Sequence, residues 1–215
     1  ERTGIRMTGR ILWGIGSGRA FRVHWTLQEL GLEYETKPVR TRTPAMDTDE
    51  FREVSPRKKI PVFEDGSLKL FESCAIANYL ARTYGEGTAA LLPSDPGEQA
   101  RCDEWCYFTA MELDATSLYV IRRHGDLPET YGDAPIAVES AGEYFARQIA
   151  VPEAELADGR LFLLGDRLTV ADIVLTPCLN WAIRYEQPVP DRLLAYRDRM
   201  AARPAYQTAY SICYP

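Results

Sequence analysis

The chain has 215 residues, 46% hydrophobic and 26% charged, enough for two modest domains or one large one. No apolar run approaches the ~20 residues of a membrane span, so a soluble globular protein with no membrane partner is expected. A net charge of -6 argues against nucleic acid as the main partner. Residues 1–88 carry 14 basic and 12 acidic side chains, against 11 and 19 in residues 89–215, which places any anion site in the first part. The opening ERTGIRMTG lacks an apolar core, and no secretory signal is expected. The five cysteines (Cys74, Cys102, Cys106, Cys178 and Cys213) are odd in number and form neither a C-x-x-C pair nor a metal-like cluster. A reducing, cytoplasmic compartment with no disulfide framework and no metal is therefore expected. Cys102 and Cys106, four apart, share a helix face and read as small core residues.

In chain order, Arg10–Trp13 reads as a short apolar strand and Gly14-Ile15-Gly16-Ser17-Gly18 as a glycine-rich loop. Arg19 stands where G-x-G-x-x-G requires glycine and no Walker lysine follows, so a dinucleotide site is not expected. Ala20, Val23, Leu27 and Leu30 recur at helical spacing, with Gly31 as the stop. Residues 34–39 read as a strand, 41–46 as irregular, and Asp49–Val54 as a short helix closed by Ser55-Pro56.

The next stretch, KKIPVFEDGSLKLFES (58–73), organises the first half. The residue before a proline is pushed into an extended conformation, and Ile60-Pro61 is the kind of bond that turns cis readily. Residues 62–64 and 67–70 read as strands joined by Asp65-Gly66, a strong hairpin signal. Helical spacing then resumes through Ala75, Ile76, Tyr79 and Leu80 to a stop at Tyr84-Gly85. Ser73 falls where unpaired amides and the positive end of the helix dipole suit a carboxylate. An extended Ile60 beside it would pair with a bound peptide as a strand does. Together they suggest a pocket for a small, anionic peptide. The order strand, helix, strand, helix, strand, strand, helix is thioredoxin-like, with a right-handed crossover between the first two strands.

Residues 89–93 read as a linker, after which no strand is expected. Asp95-Pro96 with Glu98 starts a helix that runs to about His124. Residues 125–134 read as a loop, 136–150 as a second helix, and 193–202 and 205–210 as two more. In LLGDRLTVADI, Thr169 caps, Asp172 reaches back and Leu168 can staple onto Ile173, so Asp172 reads as structural. The expected fold class is α/β plus all-α: a thioredoxin-like domain over residues 10–88 and a helical-bundle domain over 94–215.

Three stretches, SGRAFRVHWTLQELGLEYE (17–35), SPRKKIPVFEDGSLKLFESCAIANYLA (55–81) and LLGDRLTVADIVL (163–175), resemble the cytosolic glutathione S-transferases, in a bacterial-like, serine-type form. The resemblance covers nearly the whole chain after Arg10. It implies that Pro61 is cis and that the Ile60 backbone pairs with the cysteinyl part of glutathione. Ser73 would hold the γ-glutamyl carboxylate, Glu72 the α-amino group, and Lys59 would lie at the glycyl end. From the residues alone, Ser73 reads equally as a plain helix cap and Lys59 as a solvated surface lysine.

Members of the family activate the glutathione thiol with a Tyr, Ser or Cys near the first strand. No Tyr or Cys lies between Arg10 and Arg22, which leaves Ser17, the one hydroxyl of the loop. It stands five residues before Arg22, a spacing seen in serine-type members. Many bacterial relatives carry Ser-Pro earlier in this loop, where this chain has Ile15-Gly16, and a role for Ser17 as a simple N-cap stays open.

The activity implied is a glutathione transferase, with glutathione as co-substrate, that moves alkyl or aryl groups of a small hydrophobic electrophile onto the glutathione sulfur in detoxification. A homodimer is also implied. Trp105, Phe108, Met111 and Tyr119 are candidates for the electrophile site, and aromatics at this spacing also read as core. Gly16-Ser17-Gly18 does not match the Ser-Ser-Cys-like loop of zeta-type isomerases. A non-catalytic glutathione or hydrophobic-ligand binding protein on the same fold is the alternative. A thiol–disulfide oxidoreductase would need a cysteine where Ser17 stands, and Cys74 reads as a structural thiol.

Overall fold

The computed structural model describes residues 9–215, so the expectation about a secretory leader, carried by residues 1–9, lies outside the described residues but for Gly9. Two compact units are present, one running to Tyr84 and including Pro204–Pro215, the other Gly85–Arg203. Among the described residues no helix is long and apolar enough to cross a membrane.

The first unit is built on a four-stranded sheet in the order β2-β1-β3-β4, with β1 Arg10–Trp13, β2 Glu35–Lys37, β3 Val62–Asp65 and β4 Leu68–Phe71. β1 runs parallel to β2 and antiparallel to β3, which pairs antiparallel with β4. Helices α1 (Gly18–Glu29), α2 (Asp49–Val54) and α3 (Ser73–Tyr84) complete the thioredoxin-like order. Successive strand residues face opposite sides. Leu12 and Phe63 therefore join Val23, Leu27, Ile76 and Leu80 in one core, while Trp13 and Val62 join Phe51, Val54 and Ile60 in another.

Gly31, at φ +63°, ends α1 as expected: its N–H bonds Gln28 C=O, and Leu32 N–H bonds Leu27 C=O. β2 is shorter than residues 34–39 because Pro38 has no N–H to give the ladder, and Val39 N–H turns back onto Lys37 C=O.

The second unit is helical. It contains α4 (Pro96–Phe108), α5 (Tyr119–Ile121), α6 (Pro128–Tyr131), α7 (Pro135–Gln148), α8 (Ala150–Glu155), α9 (Val170–Arg184) and α10 (Asp191–Ala201). Asp95 caps α4 by accepting the Glu98 N–H at 3.0 Å, as its sequence signal predicts. The helix does run on past His124, but with wide π turns over Thr109–Leu118 and Arg122–Asp126. There Ser117 Oγ bonds Glu112 C=O, five residues back. Such i→i+5 stretches are rare and change the face on which later side chains fall. Eleven of the fifteen residues of α9 are buried, which makes it the central helix of the unit.

The last helix, α11 (Pro204–Cys213), belongs to the first unit, so the helical unit ends at Arg203 rather than at residue 215. Its tyrosines recur every four residues, and Tyr206 sets its ring edge-on to Phe21 and Trp25 of α1, at 4.8 and 5.0 Å between centroids.

Candidate active site

The antiparallel register brings three chain segments to one edge of the sheet. Trp13 at the end of β1 pairs with Val62 at the start of β3, and Val62 pairs with Phe71 at the end of β4. The loop after β1, the Ile60-Pro61 pair and Glu72-Ser73 therefore emerge side by side. Gly14 lies against Ile60: at φ +128°, a Cβ there would meet the Ile60 Cβ at 2.8 Å, so only glycine permits this approach.

The first three amides of the loop backbone are pinned. Gly14 N–H bonds Lys37 C=O, Ile15 N–H bonds Val39 C=O, and Gly16 N–H bonds Cys213 C=O, at 2.7–3.0 Å. His24 Nε2–H donates to Gly14 C=O at 3.0 Å, and the Tyr34 hydroxyl donates to His24 Nδ1 at 2.9 Å. Ser17 is the N-cap of α1, in extended conformation and half-buried. Its carbonyl accepts the Phe21 N–H. Its hydroxyl makes no capping bond and no other bond to the described residues. It stands beside the first-turn amides of α1, which have no partner within the helix.

Across the edge, the Ile60-Pro61 bond is cis, as the resemblance implied. Ser55 Oγ donates to Lys59 C=O and accepts the Lys59 N–H, bracing the approach to Ile60. The N–H and C=O of Ile60 make no hydrogen bond to the described residues, which leaves a short backbone edge for an extended peptide. Glu72 sits at φ +67°, a left-handed conformation costing roughly 1–2 kcal/mol for a non-glycine residue, and it turns the chain from β4 into α3. Ser73 follows as the first residue of α3 and is 6% exposed. Arg22, 2% exposed, donates from Nη1 to Ser73 Oγ at 3.2 Å. A buried guanidinium behind a hydroxyl at a helix N-terminus is a setting for a carboxylate.

Glu72 is exposed and pairs with Arg57 at 3.3 Å, and Lys59 is exposed at the same edge. Three cations of this edge were not singled out from the sequence: Arg22 behind Ser73, Arg57 beside Glu72, and Arg40, whose guanidinium lies over Gly16. The RKK run before Ile60 and the buried face of α1 were the available signals.

The four aromatic and apolar candidates lie along one helical run from Pro96 to Asp126. Trp105 and Phe108, edge-to-face at 5.6 Å, line a cavity of about 730 Å³. Met111 and Tyr119 are not among its lining residues. Six of the cavity's eleven lining residues are charged, Glu98 and Arg160 among them, which makes it a poor container for an apolar molecule.

The chain thus combines a thioredoxin-like unit, with a cis Ile60-Pro61 bond beside the start of α3, and a helical unit. Residues 7–82 match the profile of the glutathione S-transferase N-terminal domain, and residues 135–205 that of the C-terminal domain. The chain is 33% identical over 199 residues to glutathione S-transferase 3 of Zea mays, covering 89% of this chain and 88% of that protein. It is similar in structure to a glutathione transferase family member from Pseudomonas fluorescens with two glutathione bound (TM-score 0.81, 26% identity, 96% and 94% of the two chains). It is also similar to the theta class glutathione S-transferase of Xanthomonas axonopodis pv. citri with glutathione bound (TM-score 0.78, 28% identity, 94% and 97%). The chain belongs to the glutathione S-transferase family.

Proposed function

We propose that this glutathione S-transferase holds glutathione along the Ile60-Pro61 edge, with the γ-glutamyl carboxylate on Ser73 and its helix amides, and activates the thiol with the Ser17 hydroxyl. The Ile60 backbone pairs with the cysteinyl residue, Glu72 takes the α-amino group, and Lys59 meets the glycyl carboxylate. Family membership and the glutathione bound in the two related structures support the ligand. The observation that carries the Ser17 assignment is the contrast within its loop, where the N–H groups of Gly14, Ile15 and Gly16 are bonded and the serine hydroxyl is left over.

A free cysteine thiol titrates near ~8.5, so little thiolate exists at neutral pH. Lowering that value by ~2 units corresponds to roughly 2.7 kcal/mol. One charge-assisted hydrogen bond, at ~1.5–3 kcal/mol, supplies most of it, and the positive end of α1 adds to it. Ser17 keeps its proton and donates the bond. The thiol proton passes to solvent, the sulfur lone pair forms the new C–S bond, and the leaving group departs with its electron pair. The electrophile is a small hydrophobic molecule, and the working form is a cytoplasmic homodimer; five cysteines outside any disulfide fit a reducing compartment.

Steady-state turnover of glutathione with an activated aryl halide, beside calorimetric binding of glutathione alone, tests the reading. Turnover with saturable glutathione is expected. Binding without turnover of any electrophile would favour a carrier. Ser73→Ala removes the hydroxyl offered to the carboxylate and also strips a bond from buried Arg22. Glutathione affinity is expected to fall ~10–100-fold, with a smaller change in kcat at saturation. Unchanged affinity would reduce Ser73 to a helix start.

A further inference from the structure

The far end of the chain closes on the loop that carries Ser17. Cys213, the last residue of α11, touches that loop twice: its carbonyl accepts the Gly16 N–H at 2.7 Å, and its Sγ–H donates to the Ser17 carbonyl at 3.7 Å. Cys213 is fully buried, and burial pushes its thiol up, so it stays a neutral donor at neutral pH. The two bonds bracket Gly16 and Ser17, where local sequence offers least restraint. Gly16 sits at φ +69°, and a second glycine, Gly18, follows the serine. The Ser17 side chain makes no bond that would fix its own direction. The body of α11 is held on the helix that Ser17 caps, through Tyr206 against Phe21 and Trp25.

We propose that Cys213 is a positioning residue for the glutathione-activating hydroxyl, the end of α11 serving as a clamp that holds the Gly16-Ser17 segment at the start of α1. The inference rests on the reading of Ser17 given above. Cys213 does not touch glutathione. It acts by restricting where the Ser17 peptide, and with it the hydroxyl, can go. A misplacement of about 1 Å is enough to cost ~10²-fold in an enzyme, so a loosened loop has a measurable consequence.

The test compares the thiol pKa of bound glutathione and the steady-state kinetics of Cys213→Val, Cys213→Ser, Ser17→Ala and the Ser17→Ala/Cys213→Val double variant. Valine fills the buried space without a donor, whereas serine restores one. Cys213→Val is expected to raise the bound thiol pKa and lower kcat ~3–10-fold, with KM for glutathione within about twofold because Ile60 and Ser73 are untouched. Cys213→Ser is expected to recover most of the loss, and the double variant to be no worse than Ser17→Ala alone. A raised pKa in Ser17→Ala with none in Cys213→Val would overturn the clamp and leave the serine reading standing. Fully additive effects would also overturn it, since Cys213 would then not act through Ser17. A silent Ser17→Ala would remove the serine reading itself, and this inference with it.

Discussion

Asp172→Ala is expected to destabilise the helical unit by about 4 kcal/mol, the largest loss from any single substitution considered for this chain. Asp172 is fully buried and its carboxylate accepts four bonds: from Leu163 N–H (2.9 Å), Thr169 N–H (2.8 Å), Thr169 Oγ–H (2.9 Å) and the Tyr196 hydroxyl (2.7 Å). Burial pushes its carboxyl up, and the bonds from Leu163, Tyr196 and Thr169 pull it back. Tyr196 is itself fully buried, so alanine at 172 strands donors that water cannot reach. The same residue ties the segment before α9 to its first turn and α9 to α10, so four bonds from three residues fail together. For a chain of this size the melting temperature should drop by roughly 8–16 °C. Tyr196→Phe removes one donor and leaves the others in place, and is expected to cost about 1 kcal/mol. Denaturation showing Asp172→Ala within ~1 kcal/mol of wild type would contradict the account of this web.

The second large effect is a pH dependence centred on His24. Burial lowers its pKa from 6.5 to about 4, against a smaller upward pull from the bond to Gly14. A base with a folded pKa below its unfolded value binds fewer protons when folded. Its contribution is therefore complete above pH 6.5 and is lost as the pH falls from there towards 4. At 1.36 kcal/mol per unit the total is about 3 kcal/mol. Other groups that titrate between pH 7 and 5 are common to wild type and a His24→Gln variant, so the difference between the two proteins isolates His24. Over that range wild type is expected to lose ~2 kcal/mol more than His24→Gln, whatever the variant's absolute stability. Parallel stability curves for the two proteins would show that the imidazole is not held neutral. Protonation leaves the Nε2–H donation to the Gly14 carbonyl in place and takes away the acceptor that Nδ1 offers the Tyr34 hydroxyl.

How much of this could be read from the sequence depended on how far apart the cooperating residues lie. Asp95 with Glu98, Gly31, Asp65-Gly66 and Thr169 with Asp172 are local devices, each complete within a few residues, and each stands where its signal placed it. Ile60-Pro61 and Glu72-Ser73 were legible because one hairpin joins them. The π turns were not, since i→i+5 bonding leaves no simple mark on apolar spacing. The placement of α11 was also hidden. Its partner helix is near the other end of the chain, and a stripe of tyrosines does not say which aromatic rings it will meet. Arg22 was noticed only for its distance from Ser17, while its bond to Ser73 spans 51 residues.

The ultraviolet thiolate absorbance of bound glutathione, followed against pH in wild type and Ser17→Ala, tests the central claim most directly. The serine account predicts a thiol pKa depressed by ~2 units in wild type and largely restored in the variant, with glutathione still bound. A depression that persists unchanged in Ser17→Ala would contradict it, and would pass the activation to the backbone amides at the start of α1.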